Sequence, residues 1–539
     1  MGQWSIKGFF IAMIVACLYS SNSFSQAACT TAQGVTATCL PNWPVWQSAG
    51  QFNRSTPSIG NDGYAYFVDY PFNSNGGDLR LWRAAISDGS LQGTNLIDTN
   101  VAPSVIGPVI DDRGRIYVSY AKSNGANSSQ TIYIRGYAQG APFGSPVALT
   151  TLPSDSSCIV NYTESLAVDA DNHLYISTCN KLYKYDLDSS SLPVWIFSAP
   201  AGRLLGHPSI NLQNVYVSDN TGVLYSIPVT SQTENWHVQA GGDNALGPVI
   251  GTNGNIYVRS SSGFISSVSP SGLINWQVNL GKSVFGSLVI GNNNNLIVGV
   301  VGAGGYGQYY SLSATNGQFQ WQYPSAPSST QDIRSAPVVA QSGNLFFSAV
   351  SNDVNTLSYE WGVNVSGNGT SSTVWKGNLA ASPYVFLQSA VMDASGNIFA
   401  SATQGANSRY AVFGFANNDT PAIGGWPMLG QNRRHTWRTS ASTSIKIASP
   451  VGTDIVGSGS PEAWVTGTNG NLYRDQWNGS SWVWENRGIP ASGVGIASSV
   501  GSNAVGGSPE VFVIGTDGNL YRDQWNGSSW VWENRGTPN

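Results

Sequence analysis

Gly107-Pro-Val-Ile-Asp-Asp-Arg-Gly114, running into Ile116-Tyr117-Val118, reads as an apolar strand, a tight turn and a second strand. Val, Ile and Tyr suit a pleated, half-buried surface, and Gly after two Asp suits a turn that needs positive φ. The unit recurs. It stands at Pro57–Gly63 before Tyr64–Val68, at Leu166–Asn172 before Leu174-Tyr175-Ile176, and at Pro208–Asn214 before Val215-Tyr216-Val217. Further copies at Pro248–Gly254, Leu288–Asn294, Pro337–Gly343 and Val391–Gly396 bring the total to eight. Their turn residues, from Gly63 to Gly396, recur on average about every 48 residues, the period of a structural repeat.

Behind the hairpins lies a third strand and often a fourth marked by Trp. Leu182 to Trp195, Leu224 to Trp236 and Ile265 to Trp276 show it, and Tyr310-Ser-Leu-Ser-Ala-Thr-Asn-Gly-Gln-Phe-Gln-Trp321 shows it most fully. Four strands per unit is the pattern of a propeller blade. The predicted fold is all-β: an eight-bladed β-propeller over residues 28–438, with the tryptophans wedged between blades. One outer strand comes from the wrong end of the chain. Trp43-Pro-Val-Trp46-Gln-Ser-Ala-Gly50 precedes the first hairpin, and is expected to join the last blade after Tyr410–Phe415 and close the ring.

The phrase Leu-x-Ala-x-x-Gly-x-x-x-Trp, here Leu312 to Trp321, resembles the pyrroloquinoline-quinone-type propeller repeat. The run Gly425-Trp-Pro-Met-Leu-Gly-Gln-Asn-Arg-Arg-His-Thr436, followed by Trp437, resembles a closing motif of the same family. The resemblance covers about residues 28–438 and implies an eight-bladed quinoprotein-type ring. True quinoprotein dehydrogenases hold their cofactor with adjacent cysteines, a stacking Trp, Ca²⁺ ligands and a catalytic Asp. This chain has no adjacent cysteine pair, so no pyrroloquinoline quinone and no other cofactor is expected.

Of 539 residues only 10% are charged, against about 25% in an average domain. Lys and Arg total 24 against 29 Asp and Glu, a net charge of -5, which leaves no footprint for nucleic acid. The chain opens with Lys7, an apolar run Phe9 to Leu18, and Ser25-Gln26-Ala27, the form of a secretory signal over residues 1–27. That run is too short to span a bilayer. The alternative is a lipoprotein, since Ile14-Val15-Ala16-Cys17 resembles a lipobox. Export makes Cys29, Cys39, Cys158 and Cys179 disulfide candidates, with three possible pairings and the sequence-local ones favoured.

The sequence offers no catalytic residue and no metal site by motif. His173, His207, His237 and His435 have no metal spacing, and no G-x-S-x-G elbow occurs. Gly302-Ala-Gly304-Gly-Tyr-Gly307 matches G-x-G-x-x-G, but strand rather than helix follows it, so it reads as a hairpin loop. Asp169-Ala-Asp171-Asn172 and Asp186-Leu-Asp188 lack the Gly and distal Glu of a Ca²⁺ loop and read as turns.

After a polar linker, residues 439–446, the pattern changes. Asn471-Leu-Tyr-Arg-Asp-Gln-Trp-Asn-Gly-Ser-Ser-Trp-Val-Trp-Glu-Asn-Arg-Gly488 returns unchanged at Asn519 to Gly536, and Trp is dense across residues 447–539. These repeats resemble the bacterial fucose-binding PLL-like propeller lectins and tectonin repeats. The resemblance implies two extra propeller-type blades with sugar sites between neighbours. A pyranose face stacks on Trp, while Arg, Glu and Asp fix hydroxyls. The candidate contacts are Trp477, Glu485 and Arg487 with their counterparts Trp525, Glu533 and Arg535. Alternation places Tyr473, Asp475 and Trp477 on one face and Leu472, Arg474 and Gln476 on the other, without saying which face packs.

Two such units cannot close the family's seven-bladed ring. Either chains associate through their tails, or the tail packs on the first propeller, or the sequence stops early. The reading that follows is an exported, lectin-like carbohydrate-binding protein on a non-catalytic propeller, with glycans as partners and self-association through the tail. The alternatives are a quinoprotein-type dehydrogenase of sugars or alcohols and a surface or periplasmic protein-interaction scaffold.

Overall fold

The computed structural model describes residues 38–422, Met428 and residues 452–537, less connecting segments of which 139–147, 153–165 and 351–358 are the longest. The expectations for the signal segment, Cys17, Cys29, Cys158, the linker 439–446 and most of the Gly425–Trp437 run fall outside these residues. The chain divides into two compact units, Met1–Ser440 and Ala441–Asn539.

Within the first unit the described residues form eight antiparallel sheets of four to six strands, almost all paired with their sequence neighbours. Among the described residues there is no α-helix, only a 3-10 turn at Ala303–Gly305, and that turn lies in the Gly302–Gly307 hairpin loop. No helix among them is long and apolar enough to cross a membrane. The last sheet takes strands from both ends of the unit. Thr38–Cys39 and Val45–Trp46 pair with Arg409–Ala416, through Cys39↔Phe415 and Val45↔Val412. The early Trp-rich segment therefore supplies the outer strand, as its sequence predicts. Trp43 is buried there, edge-on to Phe399 at 5.2 Å.

Seven of the eight turn residues adopt positive φ: Gly63, Gly114, Asn172, Gly254, Asn294, Gly343 and Gly396. Asn214 does not; it opens the strand Asn214–Ser218. The reason is a turn one residue shorter. In the second copy Asp111 N–H donates to Arg115 O, four residues on, whereas Asn211 N–H donates to Asn214 O, three residues on. The turn acids serve the backbone, as expected. The Asp169 carboxylate accepts from the Asp171 and His173 amides and from the Tyr175 hydroxyl, and His173 Nδ1 lies 2.9 Å away.

Sheets are tied to each other by a repeated device. Trp195 Nε1 donates to Val229 O (3.2 Å), Trp236 Nε1 to Pro270 O (2.9 Å) and Trp276 Nε1 to Ala314 O (3.1 Å), each a carbonyl of the next sheet. Under two of these rings lies a glycine. A Cβ at Gly272 would come 2.7 Å from Trp236, and one at Gly317 equally close to Trp276. The Ala314-x-x-Gly317 part of the repeat is thus a docking floor for the preceding sheet's Trp. Serines on inner strands add a second tie: Ser58 donates to Pro108 O and Ser209 to Pro248 O.

Candidate functional site

The second unit contains two four-stranded sheets, of which the first ends on Leu472–Trp477 and Trp482–Gly488 and the second on Leu520–Trp525 and Trp530–Gly536. The identical segments pack with opposite faces. The first sheet turns Leu472, Arg474, Glu485 and Arg487 toward its neighbour, and the second turns Tyr521, Asp523 and Trp530 back. Leu472, Trp464, Val511, Val513 and Tyr521 form the buried apolar floor, with Trp530 and Trp532 packed on it.

Above this floor runs a charged chain. Arg474 pairs with the fully buried Glu462 at 2.6 Å and reaches Glu485 at 3.4 Å. Glu485 holds Arg487 at 2.9 Å, and Arg487 crosses to Asp523 of the other sheet at 3.1 Å. Both guanidinium groups lie over Trp530, at 5.2 Å and 4.7 Å from its ring centre. Trp464 and Trp525 meet the same ring edge-on, at 5.2 Å and 6.0 Å. A cation over an aromatic face is worth up to about 2 kcal/mol when shielded from water, so Trp530 anchors both sheets. Trp532 Nε1 completes the junction by donating to Arg487 O at 3.2 Å.

Burial dominates the electrostatics. Desolvation pushes the Asp523 carboxyl up to about 6, with Arg487 pulling against it and Glu485 adding to it. At the far edge the Arg535 guanidinium, joined by Arg522, holds Glu533 below the usual carboxylate range. On the outer side of the first sheet, burial raises Asp475, whose Oδ1 has no hydrogen-bond partner.

Of the six residues singled out from the sequence, three come together. Glu485 and Arg487 lie in the junction, and Trp525 meets its central ring. Trp477 lies on the opposite face of the first sheet. Glu533 and Arg535 lie on the far face of the second sheet and pair with each other at 2.8 Å. Glu462, Arg474, Asp523 and Trp530 are the central residues that the sequence reading missed. Across the hairpin the structure pairs Arg474 with Glu485. The side of each sheet that meets the other is not encoded in alternation.

Elsewhere Asp169, Asp171 and His173 approach one another closely enough for a cation, but their contacts are those of the turn described above. A cavity of about 460 Å³ lies between the Gly60–Tyr64 turn and the Asp393–Asn397 turn, where the closing sheet meets the first. The residues do not fit pyrroloquinoline quinone. No two cysteines are adjacent, and Cys179 sits disulfide-bonded in a turn at φ 53°.

The model of the family described as outer membrane protein assembly factor BamB matches residues 233–486. Similar solved structures include BamB from Moraxella catarrhalis (13% identity, 69% of this chain and 99% of that chain, TM-score 0.44). The C-terminal WD40 domain of Sif2 is similar at 10% identity, over 69% of this chain and 99% of that one, with a TM-score of 0.49. The computationally designed Ika8 protein is similar at 10%, over 70% and 99%, with a TM-score of 0.49. No curated protein matches. The family match is limited to residues 233–486, and the run of four-stranded antiparallel sheets is that of a β-propeller with PQQ-like repeats over the matched part.

Proposed function

We propose that this is an exported, non-catalytic binding protein whose eight sheets form one closed ring and serve as a protein-interaction scaffold. The observation that carries the reading is a set of exposed apolar side chains at one end of successive sheets. Leu192 and Val194 stand where the outer strand of residues 193–198 begins, and Leu212 caps the first hairpin of the next sheet. Leu273 and Phe319 stand at the starts of the two outer strands that follow. Strand direction alternates, so the first hairpin and the turn before the outer strand share one end of each sheet. Leu212 and Leu273 are about seven-tenths exposed, and such a display repeated on one end is how docking surfaces look. The match to a family described as an assembly factor for outer membrane proteins supports a protein partner in the envelope.

The test is a photo-crosslinking residue placed singly at Leu212, Leu273 or Leu204 in native cells. Leu204 is also exposed but borders the turn at the opposite end. One discrete adduct shared by Leu212 and Leu273, and absent at Leu204, is expected. No adduct, or equal adducts at all three, overturns the reading.

Carbohydrate recognition by the tail is the second reading. It is favoured by the partly exposed Glu485 held between two guanidinium groups that lie over Trp530, a ring that Trp525 meets edge-on. A glycan array of the full chain against its Trp525→Ala variant tests it. A signal lost in the variant supports it, and no signal from the parent ends it.

A further inference from the structure

The two sheets of the tail carry the same 18 residues, yet the same positions differ in burial according to whether a neighbouring sheet covers them. Leu472 is 0% exposed under the second sheet, and its counterpart Leu520 is 36% exposed. The Arg487 side chain is 14% exposed against Asp523, and its counterpart Arg535 is 49% exposed. The other face shows the converse. Trp532 lies in the junction, whereas its counterpart Trp484 is 55% exposed. Asp523 takes Arg487, whereas its counterpart Asp475 keeps an oxygen with no partner.

Over these 18 residues the outer face of the second sheet therefore repeats the donor half of the junction formed once within the chain, while Phe512 stands in the place of Trp464 and Ala463 in that of Val511. The outer face of the first sheet is the acceptor half. We propose that a second copy of this chain docks head to tail on these faces, repeating the junction between subunits. Arg535 then pairs with Asp475 of the partner subunit, and Leu520 is covered as Leu472 is. Trp484 of the partner subunit packs where Trp532 packs, on the backbone at Arg535. Charge complementarity and continuity with the existing junction favour this occupant. The association is heterologous, so it closes into a ring or continues as a filament.

Sedimentation velocity of the full chain from sub-micromolar to tens of micromolar tests it. The sedimentation coefficient is expected to rise with concentration. Arg535→Asp and Leu520→Asp, both at exposed positions, are each expected to weaken association at least about tenfold, with an unchanged melting profile. The double variant Asp475→Arg/Arg535→Asp is expected to restore it, because the exchanged charges then face each other at every subunit contact. A parent chain that stays monomeric throughout, or association indifferent to both edge variants, overturns the proposal. Loss in both edge variants without rescue in the folded double variant overturns the register. If that variant does not fold, the two edge variants decide alone.

Discussion

Arg487 and Arg535 occupy the same position in identical segments, and their surroundings set different energetic roles. Arg487 faces a fully buried carboxylate and lies on Trp530, and removing one partner of a buried pair costs about 3 kcal/mol or more. Arg535 pairs with an exposed carboxylate in water, where such contacts contribute little. Arg487→Ala should lower the second unit's unfolding free energy by that amount and bring its calorimetric transition down with it. Arg535→Ala, in dilute solution, should leave it in place. Asp523 adds a pH dependence. Its native pKa, raised to about 6, exceeds the unfolded value of about 3.9, so the folded tail binds the proton more tightly. The stability from this group is complete below about pH 4 and is lost as pH rises through about 6. The transition of the parent minus that of Asp523→Asn should therefore fall between those pH values. A flat difference would contradict the burial that raises the group.

At the scale of the element, the joint between neighbouring sheets is a Trp ring laid on the next sheet's glycine turn. Gly317 has φ 72° and a Trp276 ring carbon 2.7 Å from where a Cβ would stand. Gly317→Ala meets both backbone strain and a ring fixed by its bond to Ala314 O, and should destabilise the first unit by about 2 kcal/mol. Gly202→Ala, with φ 81° and open space around it, bears the backbone strain alone and should cost about half as much. Urea midpoints of the two variants compare them. Trp276→Ala removes the wedge itself, and the loss should reach about 3 kcal/mol. The repeat motif thus has a physical meaning on each side of the joint. Its Leu is buried in the core shared by neighbouring sheets, its Ala and Gly receive the previous sheet's ring, and its Trp, as Trp276 shows, reaches forward.

At the scale of the whole molecule, the first unit depends on a seam joining residues 38–46 to 409–416, far apart in sequence. Trp43 fills that seam against Phe399 and the Gly414 backbone. Trp43→Ala should free the N-terminal strands, open rapid proteolysis before residue 56 and cost about 3 kcal/mol. An unchanged digestion pattern would place the closure elsewhere. Much of this architecture was legible without coordinates. Turn chemistry marked the hairpins, because only a few residues tolerate positive φ, and an unpaired Trp-led strand at one end had to find the last sheet. Asn214 misled because a turn one residue shorter needs no left-handed residue, and composition does not count turn length. The tail shows the boundary most plainly. Alternation by itself determined which of its residues share a face, since successive side chains in a strand point opposite ways. Which face meets a neighbour and which meets water was decided only by how the sheets stack, so identical segments came to hold a buried Arg487–Asp523 pair on one side and an exposed Arg535 on the other.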